Sequence, residues 1–436
     1  MTVLHVLHSS LPLLSGYSIR TQHVLKHQQR YCTPIGVTSP YQVATCEVET
    51  IEGVTYYHAP RSARTAFLER HNVPVAKPHS LQKDFEHALA RLIHDVQPDI
   101  VHGHSSHSVS WPAYRAAQRL HLPFVYEMRG LWEESAVAKG FYGRGSLRYR
   151  YHRHAELALA HRAAKVFVIS QTLREELIAR GVPESKIVVV PNGVEVHELE
   201  STRNTSLREQ YGLEHAVVLG YIGSLNGYES LELFLSAFAQ LVQKGKRVKG
   251  MIVGDGPEKE NLIEHARRLG LREHVIFTGQ IAPQEIHDYH ALLDVFVLAR
   301  SHSRVAQLVT PLKPYEAMAA GICLLVSRLP ALQEIVQEEV TGLCFRSGEA
   351  HDLARQCERL IDDHDLRQRL GGAAREWVLQ NRQWRELVKI YLEHYNMILS
   401  LRSTKPNEIM QKESFLALEW KPIGDLSRAL ATFASE

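Results

Sequence analysis

The feature that most constrains the fold is a recurring alternation of short apolar runs with longer amphipathic stretches. Val3–His8, Ile35–Thr38, Phe124–Glu127, Val166–Ser170 and Ile187–Pro191 are such runs in the first half. Val217–Ile222, Lys249–Val253, Val275–Thr278, Val295–Ala299 and Ile322–Val326 repeat the pattern in the second. Short β-branched runs separated by helical patterns read as parallel strands joined by crossover helices. At 436 residues the chain exceeds one ordinary core, so two doubly wound α/β domains are expected. We divide it into an N-terminal domain at 1–197, a polar linker at 198–215, a C-terminal domain at 216–375, a return helix at 376–400 and a tail at 401–436 whose fold the sequence does not specify. Val48–Ala59 alternates in a way that suits strands or a hairpin, and Arg61–Lys77 lacks periodicity and reads as a long loop. The first helix is expected from about Ile19, and the final one, Glu376–Leu399, spaces Trp377, Trp384, Tyr391 and Tyr395 as packing anchors.

Composition narrows the class. Hydrophobic content of 44% and charged content of 22% suit a soluble globular protein, and a net charge of +2 gives no sign of nucleic-acid binding. No apolar run is long enough to span a bilayer, and MTVLHVLHSSLPLL lacks the basic start of a leader, so it reads as a first strand. Cys32, Cys46, Cys323, Cys344 and Cys357 are scattered without metal-site spacing, which points to reduced thiols and a cytoplasmic setting.

The stretch richest in chemistry is Arg300–Ser327. Thr310-Pro311 marks a turn into a helix over about Leu312–Ala320, Gly321 caps it, and a buried strand follows. A helix start beside Lys313, within reach of Arg300 and Arg304, suits an anion such as phosphate. One turn on, Glu316 is a lone carboxylate fit to grip sugar hydroxyls; otherwise Lys313 and Glu316 are an ordinary surface pair. In the first half, Gly16 lets the loop backbone approach a ligand. The cluster His102-Gly103-His104 ends a strand, so His104 could donate to a bound sugar; a metal is disfavoured because no local carboxylate or cysteine joins it. Glu127 and Arg129 reach the same sheet edge, either as substrate contacts or as an internal salt bridge. The basic, tyrosine-bearing segment Arg144–His154 is a solvated helix face or a rest for anionic headgroups.

Four fragments occur in one order: Pro191-Asn192-Gly193-Val194, Gly254-Asp255-Gly256-Pro257, Phe277-Thr278-Gly279 and Glu316-Ala317-Met318-Ala319-Ala320-Gly321. Together they resemble the family 4 retaining glycosyltransferases of the GT-B fold, over roughly residues 1–400. The stretches Leu11–Tyr17, Tyr126–Glu133 and Val309–Pro314 are similar to the bacterial subgroup associated with exosortase and exopolysaccharide loci. The resemblance implies two Rossmann-like domains facing across a cleft, the last helix crossing back onto the first. It implies a UDP- or GDP-type sugar as co-substrate, no other cofactor and no metal, and a saccharide or polyprenyl-diphosphate-linked acceptor at the inner membrane face. By the same resemblance, Glu316 binds the ribose, Lys313, Thr310, Pro311, Leu312 and Gly223 hold the diphosphate, and Gly254, Gly279, Gln280 and Ile281 frame the base. Gly16 lets the N-terminal loop approach the phosphates or the acceptor, His104 touches the transferred sugar, and Glu127 and Arg129 are acceptor or sugar candidates.

Two positions depart from the family pattern. Leu308 stands where many members carry a second glutamate, with Gln307 the nearest polar neighbour, and Gly223–Glu229 carries no cation. Arg300 and Arg304 are candidates to replace the missing charge. Two rival activities stay open: a catalytically weak sugar-nucleotide-binding partner, which would bind donor without transferring it, and a nucleotide-sugar epimerase, which would alter free donor without an acceptor.

Overall fold

The computed structural model describes residues 1–43, 46–70, 76–195 and 205–404. Part of the expected linker and nearly all of the tail lie outside these residues. The first sheet contains β1 (Thr2–Leu7), β2 (Thr33–Thr38), β3 (Val48–Ile51), β4 (Val54–His58), β5 (Ile100–His104), β6 (Phe124–Met128), β7 (Val166–Val168) and β8 (Ile187–Val189). The second contains β9 (Val217–Ile222), β10 (Val248–Val253), β11 (Val275–Gly279), β12 (Val295–Leu298), β13 (Cys323–Ser327) and β14 (Leu343–Phe345). The orders are β3-β4-β2-β1-β5-β6-β7-β8 and β11-β10-β9-β12-β13-β14. Pairing is parallel except for the β3–β4 hairpin.

Both sheets are therefore doubly wound α/β layers, as the alternation predicts, and both belong to one compact unit, Met1–Leu392. Strand order reverses between β1 and β5 in the first sheet and between β9 and β12 in the second. In open α/β sheets ligands bind outside the carboxyl ends of the strands at such reversals. The strands are apolar along their length because helices cover both faces: Leu4, Val101 and Tyr126 are buried in one core, and Leu219, Ile252, Phe296 and Leu324 in the other.

Three expectations need correction, each because a polar contact outweighs apolar periodicity. Arg61–Lys77 is not one loop; Ala63–Arg70 is a helix and Ala76–Val96 another. The Ser62 hydroxyl accepts from the Thr65 amide at 3.2 Å, and Asp84 accepts from the Ser62 amide at 3.0 Å, capping the first of these. The first helix, Gly16–Gln28, starts three residues earlier than expected because Ser15 and Ser18 form a reciprocal capping box. The aromatic C-terminal stretch is two helices, His364–Asn381 and Trp384–Thr404, with Trp377 on the former. The break falls where Val194 pairs with Gln383, the Val194 amide donating to the Arg382 carbonyl at 2.7 Å. A short helix, Thr205–Gln210, also lies in the region expected to be linker.

The helix Leu147–Arg162 carries a carboxylate into the first core. Glu156 accepts from the His107 amide at 2.8 Å and from the Tyr126 hydroxyl. Burial raises its pKa from the ordinary 4.5 to about 7, against those two hydrogen bonds. A group whose pKa is higher folded than unfolded contributes stability below its unfolded pKa and loses it as pH rises through the folded value. Glu156→Gln should therefore gain stability relative to the natural protein as pH rises from 4.5 to about 7. Melting temperatures of the two proteins that run parallel across this window would contradict the assignment.

Candidate functional site

The carboxyl edge of the second sheet is stepped with glycines. The Gly223 amide donates to the Val253 carbonyl at 2.9 Å, and the Gly254 amide to the Gly279 carbonyl at 2.9 Å. Gly223 and Gly254 have φ of +145° and +135°, where a side chain is strained. Space forbids one at Gly254, where a Cβ would sit 2.0 Å from the Gly223 carbonyl oxygen, and a Cβ on Gly223, 2.1 Å from Lys313 Cε, would displace the lysine. Gly279 follows with φ +75°, leading to exposed Gln280 and half-buried Ile281. The structure thus brings Gly223, Gly254, Gly279 and Lys313 together along one edge.

Glu229 organises this edge, and sequence reasoning missed it. It ends a short turn after β9 and is completely buried. Arg300 donates to it in a fork, Nε to Oε2 at 3.1 Å and Nη2 to Oε1 at 3.0 Å, while Lys313 Nζ donates to Oε1 at 2.7 Å. Burial opposes ionisation of Glu229, but Arg300 and Lys313 outweigh it and hold its pKa at about 2. Lys313 lies over the Tyr221 ring at 5.1 Å, and its side chain is 19% exposed. Burial lowers its pKa against the pull of Glu229, and Glu316 is near enough to raise it. Two cations around one carboxylate leave a positive charge over, and Lys313 is the member that solvent reaches.

Arg300 does not stand in for a missing phosphate-binding cation. Its fork is committed to Glu229, its Nη1 donates to the Val309 carbonyl at 3.0 Å, and it is 6% exposed. It positions Lys313's counter-ion. Arg304 is half-buried and turned toward the first sheet, where it pairs with Glu176. Leu308, at the position expected to carry acid in relatives, packs into the first sheet's core instead. Its carbonyl accepts from Ser170 Oγ at 2.7 Å and Thr172 Oγ1 at 3.1 Å. Gln307 donates to the His302 carbonyl at 3.0 Å.

Thr310, Pro311 and Leu312 turn the chain into the Lys313–Ala319 helix. Thr310 is buried; its hydroxyl donates to the Ile169 carbonyl at 3.1 Å and its carbonyl accepts from Asn192 Nδ2 at 2.8 Å. Gly16, at the start of the first helix, faces this turn, since a Cβ there would stand 3.8 Å from Leu312 Cδ1. Glu316 is half-buried one turn into the helix.

The candidates from the first sheet occupy a buried network. Glu127 is fully buried; Arg20 Nε and Arg129 Nε each donate to its Oε1 at 2.9 Å, and the Tyr391 hydroxyl to Oε2 at 2.8 Å. Burial resists its charge, yet the two arginines hold its pKa well below the usual carboxylate range. Arg129 also donates to the Tyr17 carbonyl at 2.8 Å, to Thr21 Oγ1 at 2.7 Å and to His104 Nδ1 at 2.6 Å. With Nδ1 accepting, His104 Nε2 is the donor toward His5 Nδ1 at 2.9 Å, and His5 Nε2 donates in turn to Gln28 at 2.9 Å. His104 is completely buried with both ring nitrogens engaged, so it is not presented to a sugar; it positions Arg129. Glu127 and Arg129 likewise form an internal ion pair rather than substrate-facing groups.

Comparison with known proteins fits this geometry. A model described as Glycosyltransferase Family 4 matches residues 45–198, and one described as Glycosyl transferases group 1 matches residues 204–377. The chain belongs to the GT-B glycosyltransferases. A GDP-mannose-dependent alpha-mannosyltransferase of Mycobacterium tuberculosis is 26% identical over 92% of this glycosyltransferase and 97% of the relative. An alpha-monoglucosyldiacylglycerol synthase of Streptococcus pneumoniae is 27% identical over 65% and 64%. HepE of Anabaena, solved with UDP, shares the fold with a TM-score of 0.69 at 18% identity, covering 91% of this chain and 100% of its own. Sucrose-phosphate synthase of Thermosynechococcus elongatus does so with a TM-score of 0.72 at 18% identity, covering 92% and 99%.

Replacing Glu229 tests how the glycosyltransferase holds its charged edge. Glu229→Gln leaves buried Arg300 and half-buried Lys313 without their counter-ion, which should cost about 3–5 kcal/mol. Because the folded pKa is depressed, the contribution is complete above the ordinary 4.5 and lost as pH falls toward about 2. The stability gap between the two proteins should close over that window; a gap that persists at its acid end would refute the assignment.

Proposed function

We propose that this glycosyltransferase moves a sugar from a UDP- or GDP-type donor to a saccharide or lipid-linked saccharide, with retention of anomeric configuration. The observation that carries the reading is the Lys313–Glu229–Arg300 cluster beneath the Gly223 and Gly254 steps, with Glu316 one turn beyond. The glycines clear backbone space for a diphosphate, Lys313 supplies a pre-set positive charge, and Glu316 is placed to take ribose hydroxyls. Base contacts then fall to Gly254, Gly279, Gln280 and Ile281. UDP in the HepE structure and GDP-mannose in the name of the mycobacterial relative support a nucleoside diphosphate donor of one of these types.

In the transfer step the acceptor hydroxyl oxygen bonds to the anomeric carbon as the bond from that carbon to the diphosphate oxygen breaks. The acceptor proton passes to the departing phosphate on the same face, so no separate base is required. Lys313 stabilises the growing negative charge, and one such donor contributes about 3–4 kcal/mol. Glu229 is fully engaged by two cations, which favours Lys313 over a divalent metal as partner of the diphosphate.

An acceptor at the inner membrane face, in exopolysaccharide or related glycan synthesis, is supported by the Leu147–Arg162 helix. It exposes Leu147 and Tyr151 together with Arg148, Arg150 and Arg153. The contact proposed is peripheral, from the cytoplasm; among the described residues no helix is long and apolar enough to cross a membrane.

Lys313→Ala and Glu316→Ala should each lower transfer by about a hundredfold or more. Near-normal turnover in both would sink the proposal. UDP, GDP, ADP and CMP at about a hundred times the dissociation constant should separate in melting experiments, the correct one stabilising by about 2.7 kcal/mol. Glu316→Ala should abolish that shift.

A further inference from the structure

Outside the donor edge, three side chains converge where the first helix meets the crossing of two chain segments. His23 and His27 lie on one face of the Gly16–Gln28 helix, four residues apart, and Glu195 follows the Val194–Gln383 bridge. His27 Nε2 is 2.7 Å from Glu195 Oε2, and His23 Nδ1 is 3.9 Å from the same oxygen. All three ligand atoms lie within 4.8 Å of one another. Around zinc-class ions, with bonds of about 2.0–2.1 Å, ligand atoms of a tetrahedral shell stand roughly 3.3 Å apart. The observed separations straddle that value.

Two further observations favour an ion over a plain hydrogen bond. His23 Nδ1 is buried and has no hydrogen-bond partner. Its ring is also held in place, stacked on buried Trp384 at 5.7 Å with 9° between the planes. Trp384 is fixed in turn, its amide donating to the Val194 carbonyl at 3.3 Å. A ligand nitrogen that is orphaned, oriented and beside a carboxylate is what a prearranged metal site requires. The other histidine cluster, His5, His102 and His104, is poorly suited: Arg20 and Arg129 surround it, and His5 and His104 have both ring nitrogens hydrogen-bonded.

We propose that His23 Nδ1, His27 Nε2 and the Glu195 carboxylate bind one divalent transition-metal ion of the zinc class, with water completing the shell. Two imidazoles and one carboxylate select such an ion over magnesium or calcium. The ion ties the first helix to the segment that leaves β8, and the stacking of His23 on Trp384 extends that link to the start of the last helix. Its role is to brace the chain crossing, separate from the diphosphate edge.

The test is cobalt(II) titration of chelator-treated, full-length protein, with His23→Gln, His27→Gln and Glu195→Gln in parallel. The natural protein should take up about one equivalent, giving the intense visible absorption of a four- or five-coordinate ion that zinc displaces. Each variant should bind more than tenfold more weakly, since loss of even an outer partner typically costs tenfold or more. Melting of each variant without metal checks that it folds, and His23→Gln, which breaks no hydrogen bond at Nδ1, serves if His27→Gln does not. No such absorption in the natural protein, or unchanged binding in the folded variants, overturns the proposal.

Discussion

The structure depends on one buried guanidinium. Arg20 is 2% exposed, and its five N–H donors all find acceptors. Nε meets Glu127; Nη1 meets the Pro191 carbonyl and Asn192 Oδ1; Nη2 meets the Val190 carbonyl and the Tyr391 hydroxyl. A single side chain thereby joins the first helix, β6, the segment after β8 and the last helix. Burying such a charge is expensive, and only complete satisfaction of its donors and a close carboxylate offset the lost hydration. The benefit is positional: Asn192, held by Arg20, reaches the Thr310 carbonyl, and Thr310 begins the turn that carries Lys313.

The two sheets solve the same problem in parallel ways. Each carries a fully buried carboxylate gripped by two cations near its carboxyl edge, Glu127 in the first and Glu229 in the second. In the first sheet both cations are arginines, whose planar forks fix many partners at once. In the second one partner is Lys313, a compact charge with part of its surface in solvent. The difference separates a scaffold from a working edge: fully engaged guanidiniums hold elements together, whereas an ammonium with donors to spare can meet a ligand.

The strands were legible because parallel strands covered on both faces are continuously apolar, and the ten runs of the alternation needed no long-range information. Helix ends were less so, since Ser15–Ser18 and Ser62–Thr65 set them through polar caps that hydrophobic period does not register. His104 was misread because nearness to a strand end does not say which face a side chain takes. The period of two places His102 and His104 on one face, and that face is covered by the first helix. Glu229 carried no local signal at all: its partners lie 71 and 84 residues further along the chain. Ion pairs of that separation are set by topology, and only the assembled sheet reveals them.

The segment from Arg300 to Lys313 has a mechanical consequence. Both its ends are moored to Glu229 in the second sheet, while its middle is sewn to the first through Ser170, Thr172 and Asn192 and plugged there by Leu308. It acts as a strap with a shared anchor point. If one sheet rotates against the other, the strap must either tear its middle stitches or pull on the lysine at its end. Rotation of one sheet against the other would therefore be coupled to the placement of that charge.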